Sequence, residues 1–316
     1  MRIVHLTDLH YHHPPSPRRL LSKRVLGLTN LYLGRRAAAF GGASRDAVVG
    51  DALALAPDLV LVTGDVSTLA TPAEFATARE ALEPLLASAP TVVLAGNHDR
   101  YTRGSAREQR MESSFGAWMR GGRWDAGRGA WGGPAGHHAP YRYDVGPLTV
   151  LALDSARPHP MSRGKVDREQ LRRLEDALVR CAEEDRPVLL ALHYPLLTAD
   201  GRPYRSPGHG LSGVTELLAL LRRRPVAAVF HGHDHHHRVG RIAPDGGGEI
   251  AVVNGGSSGL APGGDRDPGY YVVDWGAPGE APGGPLRLRR RRFEGGGYRW
   301  DELGSITPSS APASAP

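Results

Sequence analysis

The 316-residue sequence has a single cysteine, Cys181, so an intrachain disulfide is excluded and no cluster of thiolates is available to hold a metal. Cys181 falls in a helix-like stretch, Glu169 to Glu184, where a small buried apolar residue is the expected reading. Lysine is almost missing: only Lys23 and Lys165 occur, and arginine carries the cationic charge. No run of 18 apolar residues is present, so no transmembrane helix is expected. The opening Met1-Arg-Ile-Val-His-Leu-Thr-Asp-Leu-His10 has no apolar core of a secretory signal, which makes a cytoplasmic location the default expectation.

What is present is ordinary for a globular chain. Hydrophobic residues make up 40% and charged residues 23%, enough for a substantial core. The 41 glycines and 26 prolines are many, yet most lie between apolar runs. A fibrous, disordered or disulfide-stapled protein is thereby excluded. The formal net charge of +6 is a mild excess, and a nucleic-acid partner is not expected from it.

Short β-rich runs alternate with helix-length segments. Strands are predicted at Ile3 to Leu6, Leu59 to Thr63, Thr91 to Ala95, Leu148 to Leu153, Val188 to Leu192 and Val226 to Phe230. Helices are predicted at Arg45 to Ala56, Pro72 to Ala87, Asp167 to Glu184 and Ser212 to Arg223, with Ser44 and Thr71 as N-caps and Pro72 at the first helical position. This alternation points to an α/β sandwich. Beyond Phe230, short runs at Arg238 to Ile242, Glu249 to Val253, Tyr270 to Val273 and Leu286 to Arg291 predict a β-meander that extends or backs the sheet. One domain is expected over 1–303, with a β-rich part at 231–303. The Ser/Ala/Pro-rich residues 304–316 are expected to be a disordered tail.

Five polar clusters sit directly after five of the predicted strands. They are Asp8-Leu9-His10, Gly64-Asp65, Gly96-Asn97-His98-Asp99, His193 and His231-Gly232-His233-Asp234-His235. Ligands of open α/β sheets bind at the carboxyl ends of strands, where such loops converge. Aspartate, asparagine and histidine together suit Mn, Fe, Zn or a similar divalent ion, and one carboxylate can bridge two ions.

The order Asp-x-His, Gly-Asp, Gly-Asn-His-Asp, His, Gly-His-x-His resembles the calcineurin-like metallophosphoesterase superfamily over residues 1 to about 260. The resemblance implies a four-layer αββα sandwich with a dinuclear metal site at the carboxyl ends of the strands. By that resemblance Asp8, His10, Asp65 and His235 hold one ion, and Asp65, Asn97, His193 and His233 the other. His98 then faces the scissile phosphate and Asp99 orients His98. The implied chemistry is in-line attack on phosphorus by a metal-bridging hydroxide, with His98 assisting the leaving oxygen. The second and third motifs lack the Gly-Asp-x-x-Asp-Arg-Gly and Gly-Asn-His-Glu of phosphoprotein phosphatases, which sets that branch aside.

The resemblance leaves the compact bacterial branch that includes cyclic-AMP phosphodiesterases. A phosphodiesterase acting on cyclic or other small nucleotide diesters is the expected function. The alternative is a lipid-linked diphosphate or phospholipid hydrolase, and a third reading is a non-catalytic scaffold stabilised by the metals. Favouring lipid, residues 14–36 contain six basic residues (Arg18, Arg19, Lys23, Arg24, Arg35, Arg36) and no acidic one. Leu21, Val25, Leu28 and Tyr32 make one helical stripe there. A basic amphipathic insertion of this kind has three open roles: a lid, peripheral contact of residues 18–36 with an anionic membrane, or plain packing. Polar packing or solvation is expected for His5, His12, His13, His231, His236 and His237. The stretch Asn254 to Gly259 is expected to be a turn beside the site. Residues 116–140, with Trp118, Trp124 and Trp131, are read as a loop facing substrate or anchored by its aromatics. The arginines at 287 and 289–292 read as charges guarding a sheet edge.

Overall fold

The computed structural model describes residues 1–13, 42–133, 136, 138–159, 161–261, 267–276 and 282–309. The basic amphipathic insertion predicted at 14–36 lies outside the described residues.

Sixteen strands are described, and all but the short β8 and β10 build two stacked sheets. The first sheet contains β1 (Arg2–Leu6), β2 (Leu59–Val62), β3 (Thr91–Val93), β14 (Gly269–Trp275), β15 (Leu286–Glu294) and β16 (Gly297–Ile306), in the order β16-β15-β14-β1-β2-β3. β1, β2 and β3 run parallel, and β14 to β16 continue the sheet as an antiparallel meander. The second sheet has the order β12-β13-β11-β9-β7-β6-β4-β5. Its parallel centre is β7 (Leu148–Ala152), β9 (Val188–Ala191), β11 (Ala228–His231) and β13 (Ile250–Gly255). β12 (His237–Ile242) is antiparallel to β13, and β6 (Tyr141–Val145) to β7. A hairpin of β4 (Gly122–Asp125) and β5 (Ala130–Gly132) closes the far edge. The minor β8 (Gly164–Lys165) and β10 (Leu211–Ser212) pair only with each other.

Strand periodicity shows why these runs are apolar throughout. Alternate residues face opposite sides, and both sides of each sheet are covered. On the first sheet Val4, Leu6, Val60 and Val62 pack under Val48 and Ala52 of α1 (Ala43–Ala54) and Phe75, Ala78 and Leu82 of α2 (Pro72–Ser88). Their neighbours Ile3, Leu59 and Leu61 turn inward to meet Val150, Leu189, Ala191 and Phe230 of the second sheet. Leu151, Leu190 and Val229 face outward again, against Leu174, Leu178 and Cys181 of α5 (Arg168–Glu183) and Leu217 and Leu221 of α6 (Val214–Arg223). Three separate cores thus define four layers, αββα. Two short helices, α3 (Arg103–Arg107) and α4 (Arg110–Phe115), follow the third strand's loop.

Local signals act as predicted at α2. Thr71 accepts from the Glu74 N–H at 3.2 Å while the Glu74 carboxylate accepts from the Thr71 N–H at 3.0 Å, a reciprocal cap with Pro72 at the first turn. Thr71→Ala is expected to cost about 1 kcal/mol, read as a lowered urea midpoint at unchanged slope. At α1 the cap differs from expectation: the helix starts at Ala43 after Gly42, and Ser44 sends its hydroxyl to the Leu260 carbonyl instead.

Two further readings are corrected, and one open choice is decided. Residues Gly304 to Ile306 are strand, and Ser309 N–H donates to the Glu249 carbonyl at 3.0 Å, so order runs past the boundary drawn at 304. The arginine run does not guard an edge, because β15 is covered by β16. Four of its side chains face acids, Arg287 meeting Glu302, Arg289 Asp274, Arg291 Asp51 and Arg292 Asp301, while Arg290 donates to the Asp267 carbonyl. The tryptophan-rich stretch is anchored: Trp131 Nε1 donates to the Thr91 carbonyl at 2.8 Å, and Arg79 stacks on Trp118. Among the described residues no helix is long and apolar enough to cross a membrane.

Candidate metal centre

The five strand-end clusters meet at one rim. Asp8 and His10 follow β1, Asp65 follows β2, Asn97 to Asp99 follow β3, His193 follows β9, and His233 and His235 follow β11. Backbone bonds lace the first two loops together: Asp8 N–H to the Gly64 carbonyl, His10 N–H to that of Asp65, and Tyr11 N–H to that of Val66, at 2.8–3.0 Å. Five of these residues hold left-handed backbone, Asp8 (φ 52°), His10 (50°), Asp65 (54°), His233 (82°) and His235 (57°). Side chains with a Cβ rarely adopt it, and such strain concentrates where function over-determines the backbone. Space is equally tight: a Cβ on Gly96 would lie 2.1 Å from Asp65 Oδ1, and one on Gly232 2.1 Å from Asp8 Oδ2.

The side chains form two groups that share Asp65. In the first, His235 Nε2 lies 3.1 Å from Asp8 Oδ1 and 3.1 Å from His10 Nε2, which is 3.9 Å from Asp65 Oδ2. In the second, His193 Nε2 lies 3.5 Å from Asp65 Oδ2 and 3.1 Å from Asn97 Oδ1, and His233 Nδ1 is 2.7 Å from the same Asn97 oxygen. Asp8, His10, Asp65, Asn97 and His193 are buried, with His233 and His235 half-buried at the mouth.

Hydrogen bonds fix which nitrogen of each ring faces inward. His193 Nδ1–H donates to the Thr63 carbonyl at 2.8 Å, and His233 Nε2–H to the His209 carbonyl at 2.9 Å. With the tautomers assigned this way, the inward nitrogens carry lone pairs. Both lone pairs face the Asn97 oxygen, an acceptor against acceptors. A cation, a proton on one ring or a turned Asn97 amide relieves that arrangement, and the donor set fits a divalent metal. Electrostatics agree. Burial alone would raise the Asp8 carboxyl, yet His10 and His235 hold it well below its ordinary range. His193, His98 and His10 do the same for buried Asp65. Burial lowers His10 to about 4 and, with His193, lowers His233 to about 3, keeping both neutral as metal ligands must be. Burial also disfavours charge on His193, but the Asp65 carboxylate outweighs it and raises that ring to about 9.

His98 sits beside the first group. Its backbone N–H donates to Asp65 Oδ1 at 2.7 Å, its Nδ1 faces the Thr68 carbonyl at 2.7 Å, and its ring stacks on Tyr101 and meets His10 edge-on. Asp99 does not orient it. The Asp99 carboxylate turns the other way and accepts from Ser67 N–H and Oγ, Val66 N–H and Gly96 N–H, bracing the β2 loop against the β3 loop. Adjacent residues of this tight turn point apart, which assigns the orienting contact to Thr68.

The remaining histidines fall outside the two groups. His5 Nε2 lies 2.9 Å from Thr63 Oγ1, and His231 is buried with Nδ1 3.4 Å from the Gly232 carbonyl. Asn254 and Gly255 end β13, and the turn that follows to Gly259 lies beside the site, with Ser257 Oγ donating to the Asp8 carbonyl at 2.7 Å. Sequence reasoning missed Thr63, Thr68 and His209, whose backbone carbonyls hold rings. It also missed Tyr194, whose ring lies 4.5 Å from that of His233. Carbonyl contacts leave no residue-type signal.

Comparison with known proteins agrees with this architecture. A protein of Synechococcus sp. named as a probable cyclic nucleotide phosphodiesterase is 28% identical over 236 residues, covering 74% of this chain and 73% of its own. A dimetal phosphatase from Danio rerio shares the fold with a TM-score of 0.59 at 15% identity, over 98% of this chain and 99% of that one. The purple acid phosphatase of yellow lupin seeds gives 0.56 at 16% identity, over 97% of this chain and 53% of its own. The family model for calcineurin-like phosphoesterases matches residues 1–237. With the strand-end clusters gathered at one rim, that match establishes that the chain belongs to the calcineurin-like phosphoesterase family, whose members hydrolyse phosphoric esters.

Proposed function

We propose that this chain is a dinuclear-metal phosphodiesterase of small nucleotide diesters, cyclic ones included. Asp8, His10, Asp65 and His235 would hold one divalent ion; Asp65, Asn97, His193 and His233 would hold the other. The observation that carries the reading is the pair of inward-facing donor groups joined through Asp65, with ring nitrogens and the Asn97 oxygen converging on one point. Bound there, divalent ions supply positive charge to phosphoryl oxygens and make water acidic enough to furnish a nucleophile near neutral pH. The named Synechococcus relative supports the diester preference.

The chain's own residues do the remaining work. The Thr63 and His209 carbonyls hold His193 and His233 in the tautomers that keep lone pairs inward. His98, held through Nδ1 by Thr68, has Nε2 left to carry a proton. As the phosphorus–oxygen bond breaks, that proton passes to the leaving oxygen, so the departing group leaves neutral. Asp99 keeps the two loops that carry Asp65 and His98 in register.

The test is hydrolysis of bis-p-nitrophenyl phosphate and p-nitrophenyl phosphate by the purified protein with added Mn²⁺. Metal-dependent turnover with a diester preference is expected, falling about 100-fold in His98→Ala. Absence of metal-dependent turnover of both esters would sink the proposal.

A further inference from the structure

Arg45 has no role in the chemistry above, yet it lies close to the first metal-ligand loop. It lies in the first turn of α1, half-buried, with its guanidinium 5.0 Å over the Tyr11 ring. Among the described residues its Nη1 reaches the His10 carbonyl and His12 Nδ1, each at 3.4 Å, near the outer limit of a hydrogen bond. Its Nε is buried and has no partner among the described residues. Three half-buried arginines of β15 face a carboxylate, Arg289 that of Asp274, Arg291 that of Asp51 and Arg292 that of Asp301, while the fourth, Arg290, donates to the Asp267 backbone carbonyl. Arg45 faces none among the described residues. Nor can the stretch leading into α1 neutralise it, because residues 14–41 contain no aspartate or glutamate. A half-buried guanidinium with no carboxylate among the described residues is a candidate to receive an anion from a ligand.

Its location indicates which anion. Tyr11 bridges to Ser67, Thr68 Oγ1 donates to the His10 and Tyr11 carbonyls at 3.2 and 3.3 Å, and the Thr68 carbonyl holds His98 Nδ1. One strap therefore carries both His98 and the floor on which Arg45 stacks. Arg45 Nη1 and Thr68 Oγ1 both reach the His10 carbonyl, so Arg45 stands one residue removed from His98. The guanidinium fork matches two phosphate oxygens at once, and the neighbouring imidazole offers a further donor.

We propose that Arg45, with His12, forms a subsite for a second phosphate of the substrate, adjacent to the one that reacts. This rests on the phosphodiesterase reading and narrows it to esters of a diphosphate in preference to cyclic monophosphates.

AMP and ADP differ by one phosphate and make the direct probe. Their binding to the Mn²⁺-loaded protein is measured by calorimetry in excess free Mn²⁺, for the wild type, Arg45→Gln and Arg45→Lys. The wild type is expected to bind ADP about tenfold more tightly than AMP, the size of one charge-assisted contact. Arg45→Gln should bring the two affinities within about twofold, and Arg45→Lys should keep part of the preference as a point charge. Equal affinities in the wild type overturn the subsite, as does an undiminished ADP preference in an Arg45→Gln protein that melts like the wild type. Should Arg45→Gln fail to fold, His12→Ala decides in the same assay: a reduced preference supports the subsite and an unchanged one overturns it. Turnover of bis-p-nitrophenyl phosphate is scored separately. Its absence in the wild type would sink the phosphodiesterase reading while the ADP-to-AMP ratio still judges Arg45.

Discussion

Asp65→Asn is expected to lower metal-dependent diester turnover on the order of 10³-fold, the range seen when a principal electrostatic group is removed from an active site. Asp65 is the one carboxylate common to both donor groups, with Oδ2 3.9 Å from His10 and 3.5 Å from His193. Asparagine keeps the shape, so the His98 N–H bond to Oδ1 can survive while the charge is lost. A metal that binds only the native state adds about 2.7 kcal/mol at a hundredfold excess over its Kd. Wild-type protein should therefore melt at higher temperature on addition of Mn²⁺, and Asp65→Asn should lose most of that gain. Calorimetric melting with and without Mn²⁺, alongside the turnover assay, reads both effects. A variant that kept wild-type turnover and the full Mn²⁺ shift would remove Asp65 from the centre.

The strand-end motifs were readable in the sequence because each apolar run is buried on both faces and is broken sharply by polar residues. Val226 to Phe230 has no polar residue to blur its limits, and in Ile3 to Leu6 His5 alone interrupts the apolar run. The hairpin of β4 and β5 escaped notice because Gly-Arg-Trp-Asp and Ala-Trp-Gly are short and half-exposed, without clean alternation. β16 was missed for a related reason: as an edge strand it is exposed along most of its length, so Gly297 to Ile306 carries little apolar pattern. At the centre, residue type and order revealed the histidines and aspartates that the fold collects. They did not reveal what orients them. Asp99 looked like the partner of His98 because it is adjacent in the chain, yet the contact belongs to Thr68, thirty positions earlier. Arg45 gave no signal either, since an arginine in the first turn of a helix reads as surface. What marks it is its place on the Tyr11 ring beside the His10 carbonyl, with no acid at its half-buried head among the described residues.

Phe230→Ala is the counterpart of Asp65→Asn, a change in the core behind the site. Phe230 is fully buried between the two sheets, and its ring meets His5 edge-on with centroids 5.1 Å apart. Truncation removes a large apolar group and leaves a cavity that flat, hydrogen-bonded sheets cannot close. The expected cost is about 3–5 kcal/mol, seen as a lowered urea midpoint at unchanged slope. The effect on turnover should be much smaller, because Phe230 reaches the centre only indirectly. His5 leans on Thr63 Oγ1, whereas His193 is held by the Thr63 carbonyl, fixed in turn by its place at the end of β2. Well below the melting temperature, Phe230→Ala should therefore retain diester turnover within about tenfold, while Asp65→Asn loses turnover and keeps its fold. If Phe230→Ala instead lost turnover as completely as Asp65→Asn while remaining folded, the inter-sheet core would be setting ligand positions directly, and the carbonyl contacts would not be what orients the rings.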